Sequence, residues 1–313
     1  MSKAIFLGKC DDVTNARDPF VFFKDGFFYH LFARGQQLFI KKSNNLETLK
    51  DAEPISVFFD KNYFEIWAPE LHVIEGKCFI YVAMDYGDNY MHRMYVLENN
   101  SSDPLAPYTL HGQIVENPDR WAIDGSLLRY NNKLYFIWAG WESEHNVQQN
   151  IYIQEMKDPY TLTGKRTLIS SPELPWEKLG STGDEKDQKP FINEGPFAIY
   201  GEKHIHIVYS ASGSWCDDYC LGLLTFSGGD ILCKDNWVKK DQPILSKTKT
   251  ALGPGHASFF IDPRDNKMYV TYHLFNLDSK PGWFYTHAMI QEYKMIDDFP
   301  VLEKPINHFV DKE

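Results

Sequence analysis

The chain has 313 residues, of which 43% are hydrophobic and 24% charged, and aromatic residues make up 15%. This hydrophobic content excludes a disordered chain, and the formal net charge of -11 argues against a nucleic-acid partner, because binding to phosphates requires clustered Lys and Arg. No apolar run approaches the length of a membrane span, and the short apolar run near the amino terminus is not typical of a signal peptide. We therefore expect no membrane partner and a cytoplasmic protein.

Five apolar hairpins are predicted along the chain. Each consists of two runs of aromatic or β-branched residues separated by a short polar turn. In chain order the hairpins cover 20–33, 72–84, 127–140, 197–211 and 258–275. Five related hairpins indicate an internal repeat.

A short polar or Pro-containing element precedes each hairpin. The elements are ARDP, WAPE, AIDGS, NEGP and GPGH, and their markers are Asp18, Trp67, Asp124, Glu194 and His256. Successive markers are 49, 57, 70 and 62 residues apart, which is enough for a four-stranded blade with its loops. The sequence therefore predicts an all-β fold, a five-bladed β-propeller formed as a single domain over residues 1–313, with a large β-sandwich as the alternative.

Three of the markers are carboxylic acids. Asp18, Asp124 and Glu194 would lie at one end of a central channel if each marker begins the innermost strand of its blade. A lone carboxylate beside Pro or Gly is usually a turn or cap residue, but three at equivalent positions indicate a site. Glycoside hydrolysis uses such a set, in which one carboxylic acid protonates the leaving oxygen and a carboxylate activates water. A third carboxyl group can tune and orient the acid.

The motifs, in their order along the chain, resemble glycoside hydrolase family 43. The resemblance rests on ARDPFVFFKDGFFYHLFA, WAPELHVIEGKCFIYVAM, WAIDGSLLRYNNKLYFIWAGW, NEGPFAIY and GPGHASFF. It implies a five-bladed propeller and an inverting mechanism. Asp18 then matches the general base and Glu194 the general acid. Asp124 matches the residue that tunes the pKa of the acid and orients it.

Tryptophans near the motifs are candidate sugar contacts, because an aromatic face suits the apolar C–H surface of a sugar ring. Trp67 is predicted to bind the substrate. Trp141 is a second candidate for substrate binding. For Trp141 and its neighbour Trp138, packing between blades is the alternative.

His256 matches the axial histidine of the family. In many members this histidine lies under the sugar pocket and is associated with calcium, often through waters. The resemblance thus suggests a structural calcium ion at the axis but no required cofactor, and a purely structural histidine is the alternative, since Ca²⁺ prefers oxygen ligands. Ala257 and His287 stand where relatives commonly have Asn and Arg, which affects the predicted shape of the pocket and not the carboxylates.

The segments DRWAIDGS, WAGWESEHNVQQNIYI and YSASGSWCDDYCLGLL are most similar to the exo-acting α-L-arabinofuranosidase branch. The resemblance implies a carbohydrate partner and the release of terminal α-L-arabinofuranosyl residues from arabino-oligosaccharides or arabinan. The alternatives are a β-D-xylosidase on the same scaffold, a non-catalytic carbohydrate-binding propeller and a retaining hydrolase similar to invertase. The separation of the two catalytic carboxyl groups distinguishes retaining from inverting enzymes.

The cysteines show no spacing typical of a disulfide framework, so free thiols are expected. They are Cys10, Cys78, Cys216, Cys220 and Cys233. The alternative is a zinc site that combines Cys216 and Cys220 with His204 and His206, because strand alternation would place both histidines on one face.

Overall fold

The structure is a computed structural model that describes residues 4–9, 16–275 and 286–308. Its regular elements in these ranges are β-strands and short 3-10 helices, which confirms the all-β prediction. No helix within the same ranges combines the length and apolar character needed to cross a bilayer.

The strands form antiparallel meanders. In chain order they are β1 (Ile5–Lys9), β2 (Phe20–Lys24), β3 (Phe27–Arg34), β4 (Gln37–Ser43), β5 (Ile55–Phe59), β6 (Ile66–Ile74), β7 (Lys77–Met84), β8 (Arg93–Asn99), β9 (Thr109–Gln113), β10 (Ala122–Tyr130), β11 (Lys133–Trp141), β12 (Gln148–Asp158), β13 (Thr161–Ser170), β14 (Phe191–Tyr200), β15 (Ile205–Ala211), β16 (Cys220–Phe226), β17 (Trp237–Lys239), β18 (Leu252–Asp262), β19 (Lys267–Phe275), β20 (Thr286–Ile296) and β21 (Phe299–Leu302). The 3-10 helices lie in the connections and span Leu46–Asp51, Asn89–Met91, Pro175–Glu177, Glu185–Asp187 and Lys234–Asn236.

Five consecutive meanders follow one another along the chain. The first two are four-stranded sheets, β2 to β5 and β6 to β9. The third and fourth, β10 to β13 and β14 to β17, are joined into one larger sheet by a short parallel contact between β12 and β14. The last contains β18 to β21, and β1 pairs with β20 in it. The strand nearest the amino terminus therefore belongs to the same sheet as the last strands of the chain.

All five predicted hairpins are present, as β2–β3, β6–β7, β10–β11, β14–β15 and β18–β19. Three of them turn through two residues with positive φ, namely Asp25-Gly26, Glu75-Gly76 and Asn131-Asn132. This turn type matches the right-handed twist of the paired strands, and Gly and Asn adopt it readily. The polar turns in the sequence therefore predicted the strand ends well.

The first strands of the five meanders contact one another. Strand β2 contacts β6 and β18, β10 contacts β6 and β14, and β14 contacts β18. Between the sheets lie apolar clusters, the largest of which includes Tyr81, Phe136, Trp138 and Tyr209. Because the first strands are neighbours, residues near their starts come together although they are far apart in the sequence.

Candidate active site

Each meander has a residue with positive φ just before its first strand or within the first half of that strand. These are Asp18 (φ 48), Ala68 (φ 42), Asp124 (φ 56), Gly195 (φ 55) and His256 (φ 50). In the last four meanders the pairing with the next strand shifts register at this point. A bulge of this kind changes the direction of a side chain, and left-handed backbone at residues other than Gly is concentrated at functional sites.

This shared backbone feature corrects the register of the predicted repeat. Asp18, Asp124 and His256 occupy the left-handed position, as equivalent markers should. Trp67 and Glu194 instead lie one residue before it, and Ala68 and Gly195 take the equivalent position. Relative to the residue with left-handed backbone, the Glu194 side chain is therefore attached one residue earlier than the side chains of the two aspartates.

The Asp18 carboxylate lies against two histidines. Its Oδ1 is 3.1 Å from Nδ1 of His256 and 3.5 Å from Nδ1 of His273. The backbone N–H of Asp18 donates to Nδ1 of His273 over 3.3 Å. Burial alone would raise the pKa of Asp18, but His256, Arg17 and His273 outweigh burial and hold this pKa well below its usual range. Asp18 is therefore ionised at neutral pH.

Both histidines are neutral at this pH. Burial lowers the pKa of His256, and it lowers the pKa of His273 to about 4. At neutral pH, Arg17 therefore supplies the positive charge that acts on Asp18. His273 could not be predicted from the sequence, because it lies within the apolar run of β19 and no repeat position marks it.

Glu194 is 6% exposed and accepts a hydrogen bond at Oε1 from the hydroxyl of Tyr219 over 2.8 Å. The pKa of Glu194 is raised to about 7, because burial and the negative charge of Asp18 outweigh the opposing effects of the Tyr219 hydrogen bond and Arg17. Glu194 thus keeps its proton up to near-neutral pH, at which Asp18 is ionised. Tyr219 was not predicted either, because its segment indicates only a similarity to relatives and no repeat position marks this residue.

Asp124 is buried and accepts the N–H of Gly195 at Oδ2 over 2.9 Å. This bond ties it to the residue that follows Glu194. Burial raises the pKa of Asp124 well above its usual range, and the charges of Glu194 and Asp18 raise it further. From the sequence, burial and the charge of Asp124 were alternative causes of a raised pKa of Glu194. Burial is the largest cause and the charge of Asp18 adds to it, whereas the interaction between Glu194 and Asp124 raises the pKa of Asp124.

Trp67 lies at the start of β6 and is partly buried. Its indole ring stacks on the imidazole of His92 at a centroid distance of 3.8 Å, and its Nε1 donates to Glu65 over 3.0 Å. These two contacts hold the ring in one orientation. Trp67 therefore stays a candidate platform for a sugar ring.

The other two tryptophans are core residues. Trp141 is 2% exposed, and its ring stacks on Trp121 at a centroid distance of 4.7 Å. Trp138 is also buried and stacks between Phe136 and Tyr152. A covered ring offers no face to a sugar, so burial counts against Trp141 as a substrate contact and favours the packing alternative for both.

The side chains around His256 do not fit a directly bound calcium ion. Calcium takes six to eight oxygen ligands, whereas His256 has the imidazole of His273 and the Asp18 carboxylate beside it. In the ranges that the structure describes, no group of three or more His, Cys, Asp or Glu side chains could hold a metal. The contact with Asp18 suits the alternative of a structural histidine. Ala257 and His287 are both buried.

The zinc alternative is wrong for the described residues. His206 contacts the backbone oxygen of Asp298 through Nε2, and the thiols of Cys216 and Cys220 donate to backbone oxygens. Pairing of β15 with β16 places His206 and Cys220 at opposite ends of the hairpin. The four described cysteines are free thiols, as expected, and Cys10 lies outside the described residues.

A model of the family described as "Glycosyl hydrolases family 43" matches residues 13–300. The chain belongs to this family. Alpha-L-arabinofuranosidase 43 of Humicola insolens is 30% identical over 261 residues, which are 80% of this chain and 52% of the relative. An extracellular exo-alpha-(1->5)-L-arabinofuranosidase of Streptomyces avermitilis is 30% identical over 269 residues, which are 82% and 54%. The chain spans about half the length of these two curated relatives.

Solved structures agree with the family assignment. An α-L-arabinofuranosidase from Lactobacillus brevis superposes with a TM-score of 0.84 at 28% identity, covering 95% of this chain and 97% of that chain. A thermostable family-43 glycoside hydrolase has the same fold, with a TM-score of 0.75 at 23% identity and coverage of 95% and 96%.

The expectation of a cytoplasmic protein is contradicted. The relative from Streptomyces avermitilis and a second one from Streptomyces chartreusis, 32% identical over 213 residues, are both named extracellular. The second alignment covers 66% of this chain and 62% of the relative.

Proposed function

We propose that this family 43 protein is an inverting, exo-acting α-L-arabinofuranosidase that acts on arabino-oligosaccharides or arabinan. The observation that carries the proposal is the pair of opposite pKa shifts in one buried cluster. The pKa of Asp18 lies well below its usual range, and that of Glu194 is raised to about 7. General acid–base catalysis needs a base that is ionised and an acid that is protonated at the same pH.

The roles follow from these protonation states. Asp18 takes a proton from the attacking water, while Glu194 delivers its proton to the leaving oxygen. In the same step the water oxygen bonds to the anomeric carbon on the face opposite the leaving group while the glycosidic C–O bond breaks, which inverts the configuration. Asp124 accepts the N–H of Gly195 over 2.9 Å, which holds the backbone next to Glu194 and so orients the acid. Its carboxyl group also interacts electrostatically with that of Glu194, which tunes the acid.

The propeller is part of the proposal. We interpret the five meanders as five blades of one domain around a common axis, with the first strand of each blade innermost. Contacts among β2, β6, β10, β14 and β18 support this arrangement, as does the pairing of β1 with β20 in the last sheet. The left-handed residues then surround one end of the axis, where the substrate binds.

The sugar specificity is inferred from the relatives. The names of the Humicola, Streptomyces and Lactobacillus proteins all include arabinofuranosidase. Trp67 is the proposed platform for the sugar, because its ring is held by His92 and Glu65 beside the Ala68 bulge.

A proton NMR time course with a nitrophenyl α-L-arabinofuranoside tests the proposal. The first sugar released should be the β anomer, and the purified Asp18→Asn variant should release almost none, which controls for contaminating enzymes. Release of the α anomer first would contradict the inverting mechanism. Release from a nitrophenyl β-D-xyloside alone would contradict the sugar assignment. No release from either would favour a carbohydrate-binding role.

A further inference from the structure

The hydroxyl of Tyr219 donates a hydrogen bond to one oxygen of the buried Glu194 carboxyl group. Tyr219 precedes β16, is fully buried, and donates to Oε1 of Glu194 over 2.8 Å. Its ring stacks on His273 at a centroid distance of 5.5 Å. At Gly255 the ring passes so close that a Cβ would lie 2.1 Å from Tyr219 Cε1. Two strands of another sheet, β18 and β19, thus hold the ring that carries this hydroxyl.

A second hydroxyl lies behind Tyr219. Ser210 is fully buried and its Oγ accepts the backbone N–H of His256 over 2.8 Å. Its side chain is also a hydrogen-bond partner of Tyr219 that lowers the tyrosine pKa. Each hydroxyl has a single proton, so the donors run in one direction, from the His256 N–H to Ser210, from Ser210 to Tyr219, and from Tyr219 to Glu194.

We propose that Tyr219 is a positioning residue for the acid, because its O–H occupies Oε1 of Glu194 and leaves the transferable proton on Oε2. This inference rests on the proposed function of Glu194 as the general acid. A protonated carboxyl group has one O–H and one remaining acceptor oxygen. Because Tyr219 donates to Oε1, Oε1 is the acceptor and Oε2 carries the proton. The proton then points in one direction before the substrate arrives, which is the kind of preorganisation that acid catalysis requires.

Tyr219 remains a donor over the whole working range of pH. Burial raises its pKa well above the usual value, and the neighbouring carboxylates of Glu194 and Asp18 raise it further. A donor stabilises an ionised carboxylate more than a neutral carboxyl group, so the same hydrogen bond lowers the pKa of Glu194 and opposes the effect of burial. Removal of the hydroxyl should therefore raise the pKa of the acid.

The Tyr219→Phe variant tests this inference. We expect the alkaline limb of its pH–kcat/KM profile to move upward by about one pH unit, the size expected for loss of one hydrogen bond to a charged group. At pH values below the limb, kcat/KM for an arabino-oligosaccharide should fall about tenfold, because the proton is no longer directed. The fall should be less than about threefold for a dinitrophenyl arabinofuranoside, whose leaving group needs little protonation.

Tyr209→Phe is the matched control. Tyr209 is also a fully buried tyrosine, and it donates to a buried glutamate, Glu177, over 2.9 Å, but outside the carboxylate cluster. In urea denaturation, Tyr209→Phe should lose about as much stability as Tyr219→Phe does. The alkaline limb of its pH–kcat/KM profile should stay at the wild-type position. If Tyr219→Phe fails to fold, Ser210→Ala should move the limb upward by a smaller amount, because Tyr219 becomes a weaker donor.

The outcomes separate the inference from the proposed function. Inactivity of the wild-type enzyme on every arabinofuranoside would overturn the proposed function and the inference with it. An active wild type, together with a folded Tyr219→Phe variant that keeps its alkaline limb and loses equally on both substrates, would overturn the inference alone. An unmoved limb in a folded Ser210→Ala variant would overturn it as well if Tyr219→Phe does not fold.

Discussion

Because the pKa of Glu194 is raised, ionisation of this buried carboxyl group at and above neutral pH should destabilise the folded protein. The Glu194→Gln variant, which cannot ionise at this position, should reveal the size of this effect. A neutral carboxyl group and an amide are similar in size and polarity, and the amide oxygen can still accept the Tyr219 hydroxyl. The variant should therefore be about as stable as the wild type in acid. It should be more stable than the wild type in alkali, where the wild type must ionise a buried group.

The magnitude follows from the pKa of Glu194, which is raised from 4.5 to about 7, with burial as the largest cause. A group whose pKa is higher in the folded than in the unfolded state contributes full stability below the unfolded value, and loses it as pH rises through the folded value. The window is therefore pH 4.5 to about 7. At about 1.4 kcal/mol per pKa unit, the wild type should lose about 3 kcal/mol across this window relative to Glu194→Gln.

Urea denaturation of both proteins at about pH 4 and about pH 8.5 measures this quantity. The change in unfolding free energy of the variant between these pH values accounts for the titrating groups that do not interact with Glu194. The difference between the two changes should be about 3 kcal/mol. A difference below about 0.5 kcal/mol would show that Glu194 titrates near its usual value, and the pKa argument for the acid would fail. Activity on arabino-oligosaccharides should be lost at both pH values.

Asp18→Asn should keep the fold, because Asn tolerates the left-handed backbone at this position. It should lower kcat by ~10²–10⁴-fold, and near-normal activity would contradict the assignment of the base. Asp124→Asn should fold with reduced activity and an altered pH–rate profile, since the pKa values of Asp124 and Glu194 depend on each other; full activity with an unchanged profile would contradict the tuning role. Glu177→Gln should lower the free energy of unfolding by about 3–5 kcal/mol in urea denaturation, because it leaves the Lys239 ammonium group, 2.7 Å away, without its buried counter-ion. A decrease below about 1 kcal/mol would show that this ion pair is not important for stability.

The sequence predicted the local elements well. Hairpins depend on neighbouring residues, so the polar turns at Asp25-Gly26, Glu75-Gly76 and Asn131-Asn132 marked the strand ends before any tertiary contact was known. The repeat of a polar element before each hairpin then indicated that Asp18, Asp124 and Glu194 come together. Their mutual effects on pKa agree with that prediction.

The register of the repeat could not be read from residue types. Trp67 and Glu194 align with the aspartates as markers, yet Ala68 and Gly195 have the left-handed backbone. Which residue forms a bulge depends on how both strands of the hairpin pair. Gly195 has a further requirement, because a Cβ there would lie 3.3 Å from Nδ1 of His256 in another sheet.

The sequence by itself determined the strands, their turns and the set of carboxyl groups, because these depend on the order of neighbouring residues and on a repeat along the chain. Only the tertiary structure decided that Trp141 is covered by Trp121, and that Tyr219 reaches Glu194 from 25 residues away. It also decided which carboxyl group is ionised and which holds a proton. Burial and the distance to other charges set a pKa, and both depend on which sheets pack together.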